Sequence, residues 1–354
     1  MSAIGVAIVG TGWCGGIRAE TCAAHPLVRS LHLAETRPER LAEIERATGA
    51  ASAVADYRGL LGSSEIDAAY VCATPETTHF PIARDWLAAG KHVFLEKPIA
   101  LTLAEADELI ALARKHRLKF TIGYSQRFNP KYAYVRKAIR DGALGRPVSA
   151  LVSRHITRGL GHKISRRVRL SPAAMEATHD LDFVLWCLEP AQPVRVYSQV
   201  NFGAMRDAGA EGVPDTQWIT VTLDSGMSFV VGAGWSLPPG HPNFSTTWIE
   251  MVGTEGAVMV DDSHRDVVVN TMREGMRLPL SSMPGERVEH TFAGPMAAET
   301  VHFLEACALD RPVMVAPEHA RLVMEVYLAA DLSAERNAPV ALPLEGTGAV
   351  REAA

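Results

Sequence analysis

The chain has 354 residues, 47% hydrophobic and 21% charged, with a formal net charge of −5 and no run of about 18 apolar residues or charged-then-apolar leader. That length holds two domains with their own cores, and the mild acidity excludes partners recruited by bulk positive charge, nucleic acid and anionic membranes among them. The five cysteines (Cys14, Cys22, Cys72, Cys187, Cys307) are scattered, odd in number and free of C-x-x-C pairing, which predicts reduced thiols in a cytoplasmic protein.

Residues 4–9 read as a strand, followed at once by Gly10-Thr-Gly12-Trp13-Cys14-Gly15 and a helix to about residue 24. This is G-x-G-x-x-G with a strand before it and a helix after it, the setting in which a helix N-terminus holds a pyrophosphate. A second strand at 31–34 ends in Glu35, twenty residues beyond Gly15, where a carboxylate accepts hydrogen bonds from an adenosine ribose. With Thr36 and Arg37 beside it, Glu35 favours NAD, because its charge repels a 2′-phosphate. Arg37 and Arg40 leave NADP open, and are read equally well as the start of a solvated helix from Pro38.

The alternation continues with a strand at 67–72, a loop Ala73-Thr74-Pro75 and a helix at 78–89, for which His79 is a cap or a neighbour of a nicotinamide. The apolar run Val93-Phe94-Leu95 then ends in Glu96-Lys97-Pro98. Pro98 restricts Lys97 to extended geometry, and the bond between them is a candidate for the cis isomer. Lys97 therefore stands at the carboxyl end of a strand, where open α/β sheets bind ligands. By itself a solvated lysine is the plainer reading; beside the nucleotide fingerprint a functional one is better. Thr102-Leu-Ala-Glu105 is a capping box for a helix to about residue 116, and 119–122 is a further strand. Residues 1–123 thus form a Rossmann domain with a doubly wound parallel sheet.

Asn129-Pro130 opens a helix to about 141, 148–153 is a strand, and 154–169 a basic loop. Ser171-Pro172 reads as the N-cap and first residue of a helix to 188, on which Glu176, His179 and Asp180 share a face. Two hairpins follow, 217–223 with 227–232 and 246–252 with 257–260. Helices at 296–308 and 317–330 are expected to cover one face of their sheet, leaving the other as a homodimer or homotetramer interface. This second domain is placed at 124–342, with a loose tail at 343–354. From 142 to 175 there is no acid, but Arg146, Arg154, His155, Arg158, His162, Lys163, Arg166, Arg167 and Arg169 are present. An anionic sugar held by arginine is one reading and a solvated loop, slightly favoured, the other. The histidines at 155, 162, 241 and 264 lack zinc-ligand spacing, so no metal is expected.

Gly10–Gly15, Ala73-Thr-Pro-Glu-Thr-Thr-His79, Glu96-Lys-Pro98, Tyr124-Ser-Gln126-Arg127-Phe-Asn-Pro130 and His179-Asp-Leu-Asp182 stand in one order. In this the chain resembles the glucose–fructose oxidoreductase / inositol dehydrogenase / rhizopine-catabolism (Gfo/Idh/MocA) family over roughly residues 4–340. The resemblance implies a Rossmann domain and an α/β domain with an open, mostly antiparallel sheet. It implies an NAD(P)-dependent dehydrogenase of a sugar, sugar-acid or cyclitol alcohol. The cofactor would be held by the glycine loop, Glu35 to Arg37, Thr74, Pro75, His79, Glu96, Lys97, Gln126 and Arg127. Lys97 and His179 would stand beside the nicotinamide, with Arg154, His155, Arg158 and Asp180 towards substrate. The family's usual acid lies four residues before the histidine; here that residue is Met175, with Glu176 next, so a catalytic role for Glu176 is left open. Two rivals remain: a glycosidase that oxidises transiently with tightly held NAD, and a non-catalytic dinucleotide-binding regulator, against which Lys97 and His179 argue.

Overall fold

In a computed structural model the described residues are 3–207, 209–241, 245–262, 267, 269–277 and 287–344. They fall into two compact units, Met1–Phe128 with Pro284–Arg321, and Asn129–Met283 with Leu322–Ala354.

The first unit holds β1 (Ile4–Val9), α1 (Trp13–Ala23), β2 (Val28–Ala34), α2 (Pro38–Thr48), β3 (Ser52–Val54), β4 (Ala68–Val71), α3 (His79–Ala88), β5 (His92–Leu95), α4 (Leu103–Lys115) and β6 (Phe120–Ile122). The strands are all parallel, in the order β3-β2-β1-β4-β5-β6. Every residue of β1 and β4 is buried, as expected where helices cover both faces of a parallel sheet. The order reverses between β1 and β4, which marks the crevice where such sheets bind ligands. The capping box at α4 forms as read: Thr102 Oγ1 accepts from Glu105 N, and the Glu105 carboxylate accepts from Thr102 N. β3, three residues long and only partly buried, gave no sequence signal.

The second unit opens with α5 (Pro130–Arg140), whose first turn is capped by Asn129 Oδ1 accepting from Lys131 N. It continues through β7 (Pro147–Thr157), α6 (Arg158–Ser165), a π-helical turn (Ala173–Ala177), α7 (Thr178–Cys187), β8 (Pro193–Asn201), the short α8 (Ala204–Asp207), β9 (Thr216–Leu223), β10 (Ser228–Leu237), β11 (Ser245–Gly253) and β12 (Ala257–Asp261). Its sheet runs β12-β11-β7-β10-β9-β8 and ends in the short strand Val340–Ala341. Only β7 and β10 pair in parallel; every other neighbour is antiparallel. Both expected hairpins are present.

Three expectations need correction. The basic loop at 154–169 is instead the end of β7 and the helix α6. The single helix expected from 171 to 188 begins with a π-helical turn, although Ser171 Oγ does accept from Ala174 N as a cap. The helix α9 (Met296–Ala308) belongs to the first unit, where Phe303 and Leu304 join Ile8, Leu33, Tyr70 and Phe94 in one apolar core. The second sheet takes its cover from α7 and from the later part of α10 (Pro317–Arg336), whose Asp331 and Ser333 bond Gln217 on β9 and Ser198 on β8. The first unit's opening segment closes at Phe128, five residues beyond the expected 123. Of the expected tail, 345–354 lies outside the described residues.

Candidate active site

The three glycines after β1 serve three purposes. Gly10 has φ of +83°, and a Cβ there would lie 2.6 Å from Ala73 Cα. A Cβ on Gly15 would come within 1.8 Å of the Gly10 carbonyl oxygen, so only glycine lets α1 pack this closely on the turn. A Cβ on Gly12 would meet only an Arg37 guanidinium nitrogen, at 4.0 Å; this is the place left open for another molecule's approach. The N-terminus of α1 has no side-chain cap and no acid in its first turn. Open N–H groups, a positive dipole end and an accessible glycine suit the pyrophosphate of a dinucleotide.

Glu35 closes this end of the crevice. Its Oε2 accepts from Thr11 N at 2.8 Å and Oγ1 at 3.1 Å, and its Oε1 from Arg37 N at 3.1 Å and Nε at 3.0 Å. Burial raises the carboxyl's pKa, but the hydrogen bonds from Arg37 and Thr11 outweigh it and pull the value down to about 2. The two arginines left open by the sequence now differ. Arg37 is a partner of Glu35 with a side chain 61% exposed, whereas Arg40 donates from Nε to the Thr11 carbonyl at 2.7 Å and braces the glycine loop. Thr36 Oγ1 lies 3.5 Å from Glu35, and Trp13 is exposed. The Cys14 thiol is pushed up to about 12, by burial first and Glu96 second, so it is no thiolate nucleophile.

At the end of β5 the backbone is clamped on both sides of Lys97. Glu96 N donates to the Val71 carbonyl at 3.0 Å. The Glu96 carboxylate takes Arg18 Nε at 3.0 Å and Nη2 at 2.6 Å on one oxygen. Beyond Lys97 the peptide to Pro98 is cis, as is Thr74–Pro75, and the Pro98 carbonyl lies 2.8 Å from His79 Nδ1. His79 is the first residue of α3, which has no side-chain cap, so it is not the cap expected. Its other ring nitrogen faces the Ala73 carbonyl at 3.1 Å, and burial lowers its pKa, keeping it neutral. A neutral ring carries one N–H, so it donates to one carbonyl only, and the shorter contact, Nδ1 to Pro98, is that hydrogen bond. Lys97 is half-buried. Gln126 and Arg127 lie in a 3₁₀ turn, and Arg127 is buried with Nη1 donating to the Met314 carbonyl.

Arg18 belongs to no motif of the sequence. It is 1% exposed, with its guanidinium carbon 4.0 Å above the Phe94 ring. Besides Glu96 it holds Glu299 at 2.7 Å and Thr300 Oγ1 at 2.9 Å, both on α9. The available signal was a cation on the apolar side of a helix that begins with a nucleotide loop.

In the second unit His179 stands half-buried in the first turn of α7. Next to it Asp180, 0% exposed, receives Arg154 in bidentate fashion, Nε to Oδ2 and Nη2 to Oδ1, both at 2.7 Å. Arg154 Nη2 also reaches Tyr132 Oη at 3.4 Å. With its fork on Asp180, Arg154 is not available as the substrate clamp expected of it. His155 lies on the opposite side of the sheet: β7 alternates, buried residues at 150, 152, 154 and 156 face the helices, and the His155 ring packs near Trp218 with Nδ1 3.1 Å from Ser236 Oγ. Arg158 donates from Nε to the Ser236 carbonyl at 3.2 Å. Glu176, buried, accepts from Trp235 Nε1 at 2.9 Å through Oε1, which ties its carboxylate to β10. Of the remaining cations, His162, Arg166 and Arg169 line a cavity of about 450 Å³ with Glu211.

Residues 4–124 match the family described as "Oxidoreductase family, NAD-binding Rossmann fold", and residues 132–259 match "GFO/IDH/MocA C-terminal domain". Myo-inositol 2-dehydrogenase of Thermotoga maritima is 24% identical over 343 residues, which cover 95% of this chain and 98% of that enzyme. UDP-N-acetylglucosamine 3-dehydrogenase of Acidithiobacillus ferrooxidans is 27% identical over 328 residues, 93% of this chain and 96% of that one. Among solved structures, scyllo-inositol dehydrogenase of Lactobacillus casei with bound NAD(H) and scyllo-inositol has a TM-score of 0.81 at 21% identity, covering 96% of this chain and 99% of that one. That likeness is one of fold. No helix among the described residues is long and apolar enough to cross a membrane.

Proposed function

The chain belongs to the Gfo/Idh/MocA family of NAD-binding oxidoreductases, and on that premise we propose that it oxidises a secondary alcohol of an uncharged sugar or cyclitol. The observation that carries the reading is Lys97, held at the carboxyl end of β5 in the same unit as the glycine loop and Glu35. When bound, NAD supplies the hydride acceptor. The residues that would hold it are Gly10 to Gly15 around the pyrophosphate and Glu35 at the ribose.

His179 takes the proton of the reacting hydroxyl, acting as general base. Lys97 donates a hydrogen bond to the same oxygen and stabilises the negative charge that grows there as the proton leaves. Arg154, through Asp180, fixes the helix that carries His179. Two of the expected anion contacts are set elsewhere: Arg154 on Asp180, and His155 on the far face of its sheet. This favours a neutral polyol over a uronate or sugar phosphate. Glu35, charged and buried at the ribose position, favours NAD over NADP.

The test is a screen of inositols, hexoses, uronates and nucleotide sugars, following NADH formation. Turnover of neutral polyols that Lys97→Met cuts by roughly 100-fold supports the proposal. Release of aglycone from a glycoside with no net NADH, by protein that retains its nucleotide, would replace it with the glycosidase reading.

The assembly is proposed as a homodimer or homotetramer in the cytoplasm. Trp248 and Trp218 stand in one cross-strand row, through Ser153 and Gly232, on the face of the sheet opposite α7, and both are over one third exposed. All five cysteines are free thiols, in keeping with that compartment. Sedimentation of wild type and Trp218→Glu tests the assembly: an unchanged mass overturns it.

A further inference from the structure

Resting on the reading of Lys97 as the charge that stabilises the reacting oxygen, we propose that Arg18 is a positioning residue for Lys97, acting through Glu96 and anchored by α9. Three facts carry this. First, each guanidinium nitrogen of Arg18 is engaged: Nε and Nη2 with Glu96 Oε1, Nη2 also with Glu299 Oε2, and Nη1 with Thr300 Oγ1. Five N–H donors in a rigid plane, held at all three nitrogens, leave one orientation, so the Glu96 carboxylate has one place to be. Second, the other oxygen of Glu96 packs against Gly123. A Cβ on Gly123 would lie 2.9 Å from Glu96 Oε2, so the carboxylate sits where a side chain at 123 would displace it. Third, Glu96 and Pro98 flank Lys97, and each is gripped by a side chain from a different helix, Arg18 on α1 and His79 on α3. The chain on either side of the ammonium is thereby fixed, leaving only the lysine's own side chain to adjust.

The anchor makes this more than core packing. Glu299 and Thr300 come from a helix about 280 positions later in the chain, and Thr300 Oγ1 also donates to the Met296 carbonyl, which fixes its lone pair for Arg18. A packed aromatic ring and two carboxylates would each retain an arginine. Only the single oxygen of Glu96, taken twice, transmits its position to the residue before Lys97. Lys at position 18 keeps the charge but supplies one nitrogen where three are now engaged, so it tests geometry apart from charge.

Arg18→Lys and Glu299→Gln are the variants, and two readouts separate positioning from stability. The first needs no substrate: lysines are reductively methylated with ¹³C-formaldehyde, and the Lys97 signal is assigned by its loss in Lys97→Arg. Its shift and titration midpoint are then followed by NMR. The second is steady-state kinetics on the best polyol found, as kcat, KM and the pH–rate profile. The expected result is a displaced Lys97 signal in Arg18→Lys and a fall in kcat of roughly 10-fold or more, the scale of an ångström-level misplacement, with KM within about threefold. Glu299→Gln, in which the amide oxygen still accepts from Arg18, should fold and show the same displacement in smaller measure. Should Arg18→Lys fail to fold, Glu299→Gln decides. A lower Tm with the Lys97 signal and pH profile unchanged overturns the proposal and leaves Arg18 a structural residue. A displaced Lys97 signal in a protein that oxidises no alcohol supports the positioning and refutes the function, so the two readings fail separately.

Discussion

Each unit buries an arginine beside the residue proposed to act, and the two are built differently. Arg18 in the first unit is shared between two carboxylates and a hydroxyl from β5 and α9. Arg154 in the second is matched one to one with Asp180, fork against carboxylate. The first arrangement carries an excess of negative charge and can lose one partner and keep the other. The second is neutral and closed, so either half alone is a buried, uncompensated ion. The lesson is that a buried arginine near a site is first a brace, and that its number of partners sets how much damage its removal does.

The largest expected effect lies with the closed pair. Arg154→Met should lower the unfolding free energy by about 3–5 kcal/mol, because it strands the Asp180 carboxylate with no exposure to water. Adding Asp180→Leu should restore most of the loss in urea unfolding. If the double variant is as unstable as the single one, the pair is not the closed unit described.

Next comes the residue that Arg18 serves. Lys97→Met should cut kcat by roughly 100-fold and leave the Kd for NAD, measured by nucleotide fluorescence, within a few-fold. A comparable loss in NAD binding would mean that the strand end serves the nucleotide more than the reacting oxygen. His179→Ala should lower kcat similarly and remove the limb of the pH–rate profile that reports the general base. Retention of that limb would assign it elsewhere.

A smaller effect is expected at Glu35, a carboxylate with an arginine partner exposed to water. Glu35→Ala should narrow the preference for NAD over NADP by roughly 10-fold, about the worth of one or two hydrogen bonds to a charged group. A wild type that turns over faster with NADP would show Arg37 reading a phosphate.

The smallest effect sharpens the comparison, because Asp331 is a half-buried acid held by Ser171 and Gln217, neutral donors, where Asp180 has an arginine. Burial pushes its carboxyl up from 3.8 to about 6, and the two hydrogen bonds only partly oppose this. A raised folded pKa means that the folded state binds the proton more tightly than the unfolded one. The stabilisation is therefore complete below pH 3.8 and is lost as pH rises through about 6. Asp331→Asn should flatten the fall in Tm between pH 4.5 and roughly pH 7 and leave the acid side unchanged. An identical pH profile in the variant would place Asp331's charge outside the folding equilibrium.

Much of the first unit was legible because its signals are local. The glycine loop, Glu35, the Thr102–Glu105 capping box and the Glu96-Lys97-Pro98 strand end each depend on residues within about twenty positions, and all lie where the sequence put them. The hairpins of the second unit were legible for the same reason, since a tight turn fixes the register of the strands beside it. The basic window misled, because an absence of acids within it says nothing about acids elsewhere. Arg154 found Asp180 on a helix 26 residues later, and the alternation of β7 sent His155 to the other face. Glu176, one helical turn before His179 by count, lies in a π-helical turn and meets Trp235 from a strand almost sixty residues later.

The sequence by itself determined most of the first unit's elements, the nucleotide turn and the position of Lys97, since backbone sterics and short-range hydrogen bonds act on neighbours in the chain. Tertiary structure alone decided which unit owns α9, which carboxylates meet Arg18, and that Arg154 braces a helix. A charge removed from water takes whatever opposite charge folding brings within hydrogen-bond reach, and separation along the chain does not encode that meeting.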